Sequence, residues 1–244
     1  MVDSLGQVKD EIKSAPKTPR KKASTATSRS KSGAQSTKSR ELNYAEWAPP
    51  TDERFDVDPE NVLAQRIAEI VAQETADQLL EVVDIGCGSG ALGRALGESS
   101  PQLQIDGIDI SKSLLALAEK ALRNNGVPCY REVLDADLTK PIYFAANHYD
   151  MLVSSGLFAP GLLGASDLVA MVQSVKARGR LIVGIDKSHF DNAAFRIVIQ
   201  EAIWDKTITE PTYTEVESFD ASSDRFGTKA LIAQFSKVPT LNDL

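Results

Sequence analysis

The chain has 244 residues, 42% of them hydrophobic and 25% charged, with a formal net charge of −7. That describes one globular domain with chain to spare, large enough to bury a core without staples. The 2 cysteines and 2 histidines give neither a disulfide framework nor metal-ligand spacing, and no apolar run approaches the ~20 residues of a membrane helix.

The opening "MVDSLGQVKDEIK" lacks the apolar core of a signal peptide, so a reducing, cytoplasmic setting is expected. Residues 1–40 carry 10 Lys+Arg against 3 Asp+Glu, about +7; from totals of 27 and 34 this leaves 17 basic and 31 acidic residues, about −14, beyond them. The stretch "KSAPKTPRKKASTATSRSKSGAQSTKSR" has no acid and no aromatic, so it cannot bury enough apolar surface to offset its ordering entropy. Residues 1–40 therefore read as a disordered basic tail and 41–244 as the domain. A weak, salt-sensitive contact with a polyanion is the chemistry such a tail offers, and "PRKK" offers a nuclear address as the alternative.

Beyond the tail, helices and strands alternate. "DPENVLAQRIAEIVAQ" predicts a helix capped by Asp58, with Pro59 at its first position and Val62, Leu63, Ile67, Ile70 and Val71 on one face. The strand "EVVDI" follows, then a helix from about Ala91 and the strand "QIDGIDI". "SKSLLALAEKALRNNG" predicts a helix capped by Ser111, apolar through Leu114, Leu115, Ala118 and Leu122, and ended by Gly126. "CYREVL", "YDMLVSS" and "RLIVGI" are further strands, with helical stretches around Asp167–Lys176 and Asp191–Trp204. Last come "TYTEVESF" and "KALIAQF", joined by "DASSDRFGT", too short for anything but an antiparallel pair. The pattern predicts an α/β fold: a doubly wound, mostly parallel seven-stranded sheet with helices on both faces and an antiparallel C-terminal hairpin.

Chemistry concentrates in "VVDIGCGSGALGRALG", a strand running into a glycine turn and a helix. Gly88, Gly90 and Gly93 satisfy GxGxxG, by itself weak support for a dinucleotide. Asp84 at the strand's carboxyl end argues otherwise, because it would repel a pyrophosphate and attract a cation. Asp109 closes the second strand, where a carboxylate can accept both ribose hydroxyls of any adenosine-bearing cofactor.

As an ordered set, "VVDIGCGSG", "IDGIDIS", "DADLTKP" and "YDMLVSSGLF" resemble class I S-adenosylmethionine-dependent methyltransferases, over roughly Asn43 to Lys237. Within these the chain looks closest to the Williams–Beuren-region-like methyltransferases, which carry a Tyr-x-x-Trp-Ala segment before the first helix. Here that is Tyr44 and Trp47 in "YAEWA", while a second tyrosine of the family is replaced by Thr51. The resemblance implies S-adenosylmethionine as cofactor. It also implies that Asp84 and the backbone of Gly86, Gly88 and Gly90 hold its methionine end and that Asp109 takes the ribose. Ile110 would pack on the adenine, with Asp137 (Asp135 being its rival in "DAD") accepting the adenine amine and the Leu138 amide meeting the ring. Ser154, placed at the end of the fourth strand, would offer its carbonyl to the methionyl amine. Tyr44 and Trp47 would form part of a lid.

The implied reaction is methyl transfer to a nucleophile, with a small organic acceptor favoured, for which no fixed catalytic residue is required. His189 and Asp186, near the fifth strand's end, are candidate bases; His148 sits at the amino end of a strand, the wrong side. "VPCY" places Cys129 ahead of the wrong strand for a covalent nucleophile, and "SSGLFAPG" stands where adenine and glutamine methyltransferases carry Asn/Asp-Pro-Pro-Tyr. A nicotinamide-dependent oxidoreductase and a non-catalytic S-adenosylmethionine-binding sensor or scaffold are the competing readings.

Overall fold

The computed structural model describes residues 61–76, 78–140, 146–219, 221 and 227–240. Expectations for the basic tail, for Tyr44, Trp47 and Thr51, and for Asp58 and Pro59 fall outside these residues.

Helix α1 (Val62–Thr75) begins a turn later than expected, because Asn61 provides the cap: its side chain accepts the Ala64 amide at 2.9 Å. Then follow β1 (Glu81–Ile85), α2 (Ala91–Ser99), β2 (Gln104–Asp109), α3 (Lys112–Ala118), β3 (Glu132–Asp135) and β4 (Tyr149–Phe158). The chain continues through α4 (Ala165–Met171), β5 (Val175–Asp186), α5 (Lys187–Phe190), α6 (Ala193–Trp204), β6 (Thr212–Glu217) and β7 (Lys229–Ser236). The seven strands form one sheet in the order β3-β2-β1-β4-β5-β7-β6. The first five run parallel, and β7 lies antiparallel between β5 and β6. The final pair is the predicted hairpin, and its second strand is the one inserted against β5. The exposed Thr212–Glu215 of β6 suits the edge this leaves it, whereas β7 is buried along Ala230–Ala233.

Burial on both faces explains the apolar strands. Val82, Ile105, Met151 and Ile182 pack toward Leu63, Ile67, Leu92 and Leu96 on one side. On the other, Val83, Leu152, Leu181 and Val183 meet Leu168, Phe195 and Ile199. The side chain of Asp84 shares a face with its register partners Gly107 and Val153.

Two elements are shorter than their sequence patterns. Helix α3 stops at Ala118 instead of reaching Gly126, since the Ala121 carbonyl is taken by the Cys129 amide at 2.9 Å and Leu122 pairs with Pro128. Gly126, at φ +80°, closes a separate turn there. The segment "CYREVL" is strand only over Glu132–Asp135, with Tyr130 buried ahead of it.

At the amino ends of the strands, Arg131, just ahead of β3, ties β1 and β2 together. Its Nε and Nη2 donate to both oxygens of buried Asp106 at 2.9 and 2.6 Å, and its Nη1 reaches Glu81 at 3.1 Å and Gln104 at 2.8 Å. The Tyr149 hydroxyl adds a third donor to Asp106 at 3.0 Å. Removing one partner of a buried pair strands the other, so Arg131→Met should lower unfolding stability by about 2–3 kcal/mol, below the full buried-pair cost because the arginine is partly open to water. Urea melts will measure this. Cofactor affinity should stay at the wild-type value, since the cluster lies at the opposite sheet end from the site; a parallel loss would contradict that separation.

Candidate functional site

The site forms where the carboxyl ends of β1 and β2 meet. The amides of Gly86 and Cys87 donate to the Ile108 carbonyl at 2.7 and 3.1 Å, tethering the glycine turn to β2. Gly86, Gly88 and Gly90 have φ of +68°, +53° and +94°, a region that side chains disfavour, and Gly90 caps α2. Asp109 is buried and locks the turn: its Oδ2 accepts the Gly88 amide at 2.9 Å and its Oδ1 the Ser111 amide at 2.8 Å. Desolvation pushes its pKa up against these bonds. A carboxylate has about four lone-pair sites, so not all are spent on the backbone and a ligand diol can still be met.

A cavity of about 430 Å³, including its open mouth, is lined by Gly86, Asp109, Ile110, Asp137, Leu138 and Leu157 among others. Thr139 donates its amide and hydroxyl to Asp137 Oδ1 at 3.0 and 2.7 Å, and Lys140 Nζ stands 3.1 Å from Oδ2. Asp135 does not line the cavity; it ends β3 and pairs with Lys112 at 3.3 Å. The walls thus present hydrogen-bonding carboxylates beside apolar side chains, a combination suited to a nucleoside.

Ser154 departs from expectation, because β4 runs on to Phe158 and encloses it. Ser154 pairs with Val183 and Phe158 with Ile185, so Ser155, Gly156 and Leu157 stand opposite Gly184 alone. This bulge re-aims the strand and brings Leu157 against the turn: a Cβ on Gly86 would come within 2.9 Å of it. The Ser154 hydroxyl is buried with no hydrogen-bond partner.

Asp84 lies beneath the turn, 0% exposed, and is not part of the cavity wall. Burial drives its carboxyl up to about 7, with Asp109 adding to the rise and a hydrogen bond from Tyr130 opposing it. The Tyr130 hydroxyl donates to Asp84 Oδ2 at 2.7 Å, while Oδ1 has no partner among the described residues. Tyr130 is the residue that sequence reasoning missed. The one available signal was chemical: a buried tyrosine hydroxyl needs a partner and so does a buried acid. The same ring accounts for the third glycine of GxGxxG, because a Cβ on Gly93 would overlap it.

The candidate bases separate. His189 Nε2 donates to the Leu163 carbonyl at 3.0 Å and its ring packs edge-on against Phe195, so it braces the lip of the cavity without lining it. Asp186 caps α5, its Oδ1 accepting from the Ser188 hydroxyl at 2.5 Å and the His189 amide at 3.1 Å. It also lines a second, open hollow, with Ser155, Phe158, Gly184, Ser218 and Phe219. His148 stays at the amino end, 3.8 Å from Glu81. Cys87 and Cys129 are both buried. Among the described residues, no cluster of three His, Cys, Asp or Glu could hold a metal ion, and no helix is long and apolar enough to cross a membrane.

A doubly wound sheet with an inserted antiparallel last strand, a glycine turn after β1 and an acid closing β2 is the class I methyltransferase architecture. Residues 82–180 match the family described as "Methyltransferase domain". That region, less than half of the chain, is similar to methyltransferase domains. A malonyl-[acyl-carrier protein] O-methyltransferase of Halalkalibacterium halodurans is 30% identical over 126 residues, 49% of this chain and 45% of that protein. A release factor glutamine methyltransferase of Geobacter sulfurreducens is 26% identical over 154 residues, 61% of this chain and 50% of that protein. The chain thus spans about half the length of these curated relatives. Among solved structures, a Pyrococcus horikoshii protein provisionally described as an RNA methyltransferase shares the fold, with a TM-score of 0.54, 15% identity and coverage of 72% of this chain and 84% of that one.

Proposed function

We propose that the protein, through its domain over residues 41–244, transfers the methyl group of S-adenosylmethionine to a small organic acceptor. The cavity bordered by Asp109, Ile110, Asp137 and Leu138 carries this reading, because it offers a diol acceptor, an apolar ring seat and an amine acceptor together. In this reading the remaining lone pairs of Asp109 take the ribose hydroxyls, Ile110 covers the adenine, and Asp137 with the Leu138 amide reads its edge. The backbone of Gly86, Gly88 and Gly90 would meet the methionine end, Asp84 would act on it from beneath the turn through its charge, and the Ser154 carbonyl would take its amine. Bound there, the cofactor supplies an electrophilic methyl group on a sulfonium.

The chain's own part is alignment and the exclusion of water. Orientation alone can supply about 7–11 kcal/mol of barrier reduction. Leu157, Leu162 and Leu163 form an apolar lip, and Tyr44 and Trp47 would complete it as a lid. The kinship with Williams–Beuren-region-like methyltransferases rests on those two aromatics. The second hollow would take the acceptor, and Asp186, with one oxygen tied down by α5, would orient it or take its proton through the other. The stretch "SSGLFAPG", which begins at Ser154, lacks the amide-recognising Asn/Asp-Pro-Pro-Tyr set. The basic tail would add a weak polyanion contact.

Calorimetry with S-adenosylmethionine, its demethylated product and a nicotinamide dinucleotide is the first test, followed by a methyl-labelled donor offered with a metabolite extract. Binding of the first two and label in a small molecule are expected. Dinucleotide binding without response to the sulfonium would overturn the cofactor assignment. Label in protein or RNA would move the acceptor, and binding without any transfer would favour the sensor.

A further inference from the structure

We propose that Tyr130 is the positioning residue of the cofactor turn: its ring is the mould for Gly90, Gly93 and Gly107, and its hydroxyl sets the charge of Asp84 beneath them. The inference rests on the reading above that the ligand's methionine end is cationic. A Cβ on Gly93 would overlap the Tyr130 ring, one on Gly90 would lie 3.1 Å from its Cε2, and one on Gly107 would lie 3.0 Å from its Cε1 and 2.9 Å from Cys87 Sγ. Three glycines from two segments are therefore opened around one side chain. That ring is 6% exposed, and its hydroxyl is the sole hydrogen-bond donor to Asp84 among the described residues.

Among the described residues, the titratable groups facing Asp84 are Tyr130, Cys87 and Asp109, with no cation among them. Burial favours the neutral acid, and the bond from Tyr130 favours the carboxylate. An ionised Asp84 attracts an ammonium or sulfonium, and a neutral one does not. Removing the hydroxyl leaves both Asp84 oxygens unpaired and moves its ionisation to higher pH.

The test compares wild type with Tyr130→Phe, which keeps the ring. The ratio of their Kd values for S-adenosylmethionine is measured across pH, so that the cofactor's own amine titration cancels. A displacement of about one pH unit is a tenfold change, so the ratio should approach tenfold below about pH 6, where Asp84 is mostly neutral in both proteins, and fall to one near pH 9, where both are ionised. The Asp84 carboxyl carbon, followed by NMR without cofactor, should titrate at higher pH in the variant. Asp84→Asn provides a second arm, with affinity that falls increasingly behind wild type as pH rises. A flat Tyr130→Phe ratio, an unmoved Asp84 titration, or wild-type affinity of Asp84→Asn at high pH would each overturn the proposal. A shifted Asp84 titration in a protein that binds no S-adenosylmethionine at any pH would instead overturn the cofactor assignment, leaving the Tyr130–Asp84 coupling standing.

Discussion

Asp109→Ala is expected to weaken S-adenosylmethionine binding by about 1–3 kcal/mol, the cost of leaving buried hydroxyls without their acceptor. The same substitution should also lower the stability of the cofactor-free protein by about 2 kcal/mol or more, because the amides of Gly88 and Ser111 both lose their acceptor. Its position at a strand end argues for a dispensable side chain; its two backbone bonds make it part of the turn. Asp109→Asn should recover part of the stability, since one oxygen survives, while its amide nitrogen would confront the other backbone donor. Calorimetry and urea unfolding separate the two losses. Unchanged affinity in a folded Asp109→Ala protein would place the ribose elsewhere.

The second large effect is structural in origin. Gly93→Ala should destabilise the fold by about 3 kcal/mol, the upper end for overpacking a filled site. The added methyl would overlap the Tyr130 ring, which cannot retreat without giving up its bond to Asp84. Elsewhere on an amphipathic helix, glycine to alanine would be favourable by up to about 1 kcal/mol, so propensity alone predicts the opposite sign. Thermal and urea melts decide between them, and a gain in stability would show that the ring has room to move.

The alternation of apolar strands with capped helices made the architecture legible, and the short "DASSDRFGT" connection made the terminal hairpin so. Local signals served well wherever local physics decides, as in the φ-positive glycines after β1 and the apolar face of α1. They failed where distant residues decide. The bulge that carries Leu157 over Gly86 depends on the register of β4 against β5, which no local pattern in "YDMLVSSGLF" encodes. The shortened α3 reflects a chain that must turn back to deliver Tyr130, and nothing in "SKSLLALAEKALRNNG" announces that destination. The Asp84–Tyr130 bond joins positions 46 apart in the chain, so only the folded sheet brings them together.

The mould formed by one ring against Gly90, Gly93 and Gly107 has a consequence for how this sequence can drift. A side chain at 93 would overlap the tyrosine, one at 107 would crowd both it and Cys87, and a smaller residue at 130 would open a void that those glycines leave unfilled. The three positions are therefore bound to change together or not at all. A lineage that replaced Tyr130 would have to pass through a cavity or a clash on its way to a new packing, which makes this trio a slow-moving landmark by which the chain's near kin can be told from its distant ones.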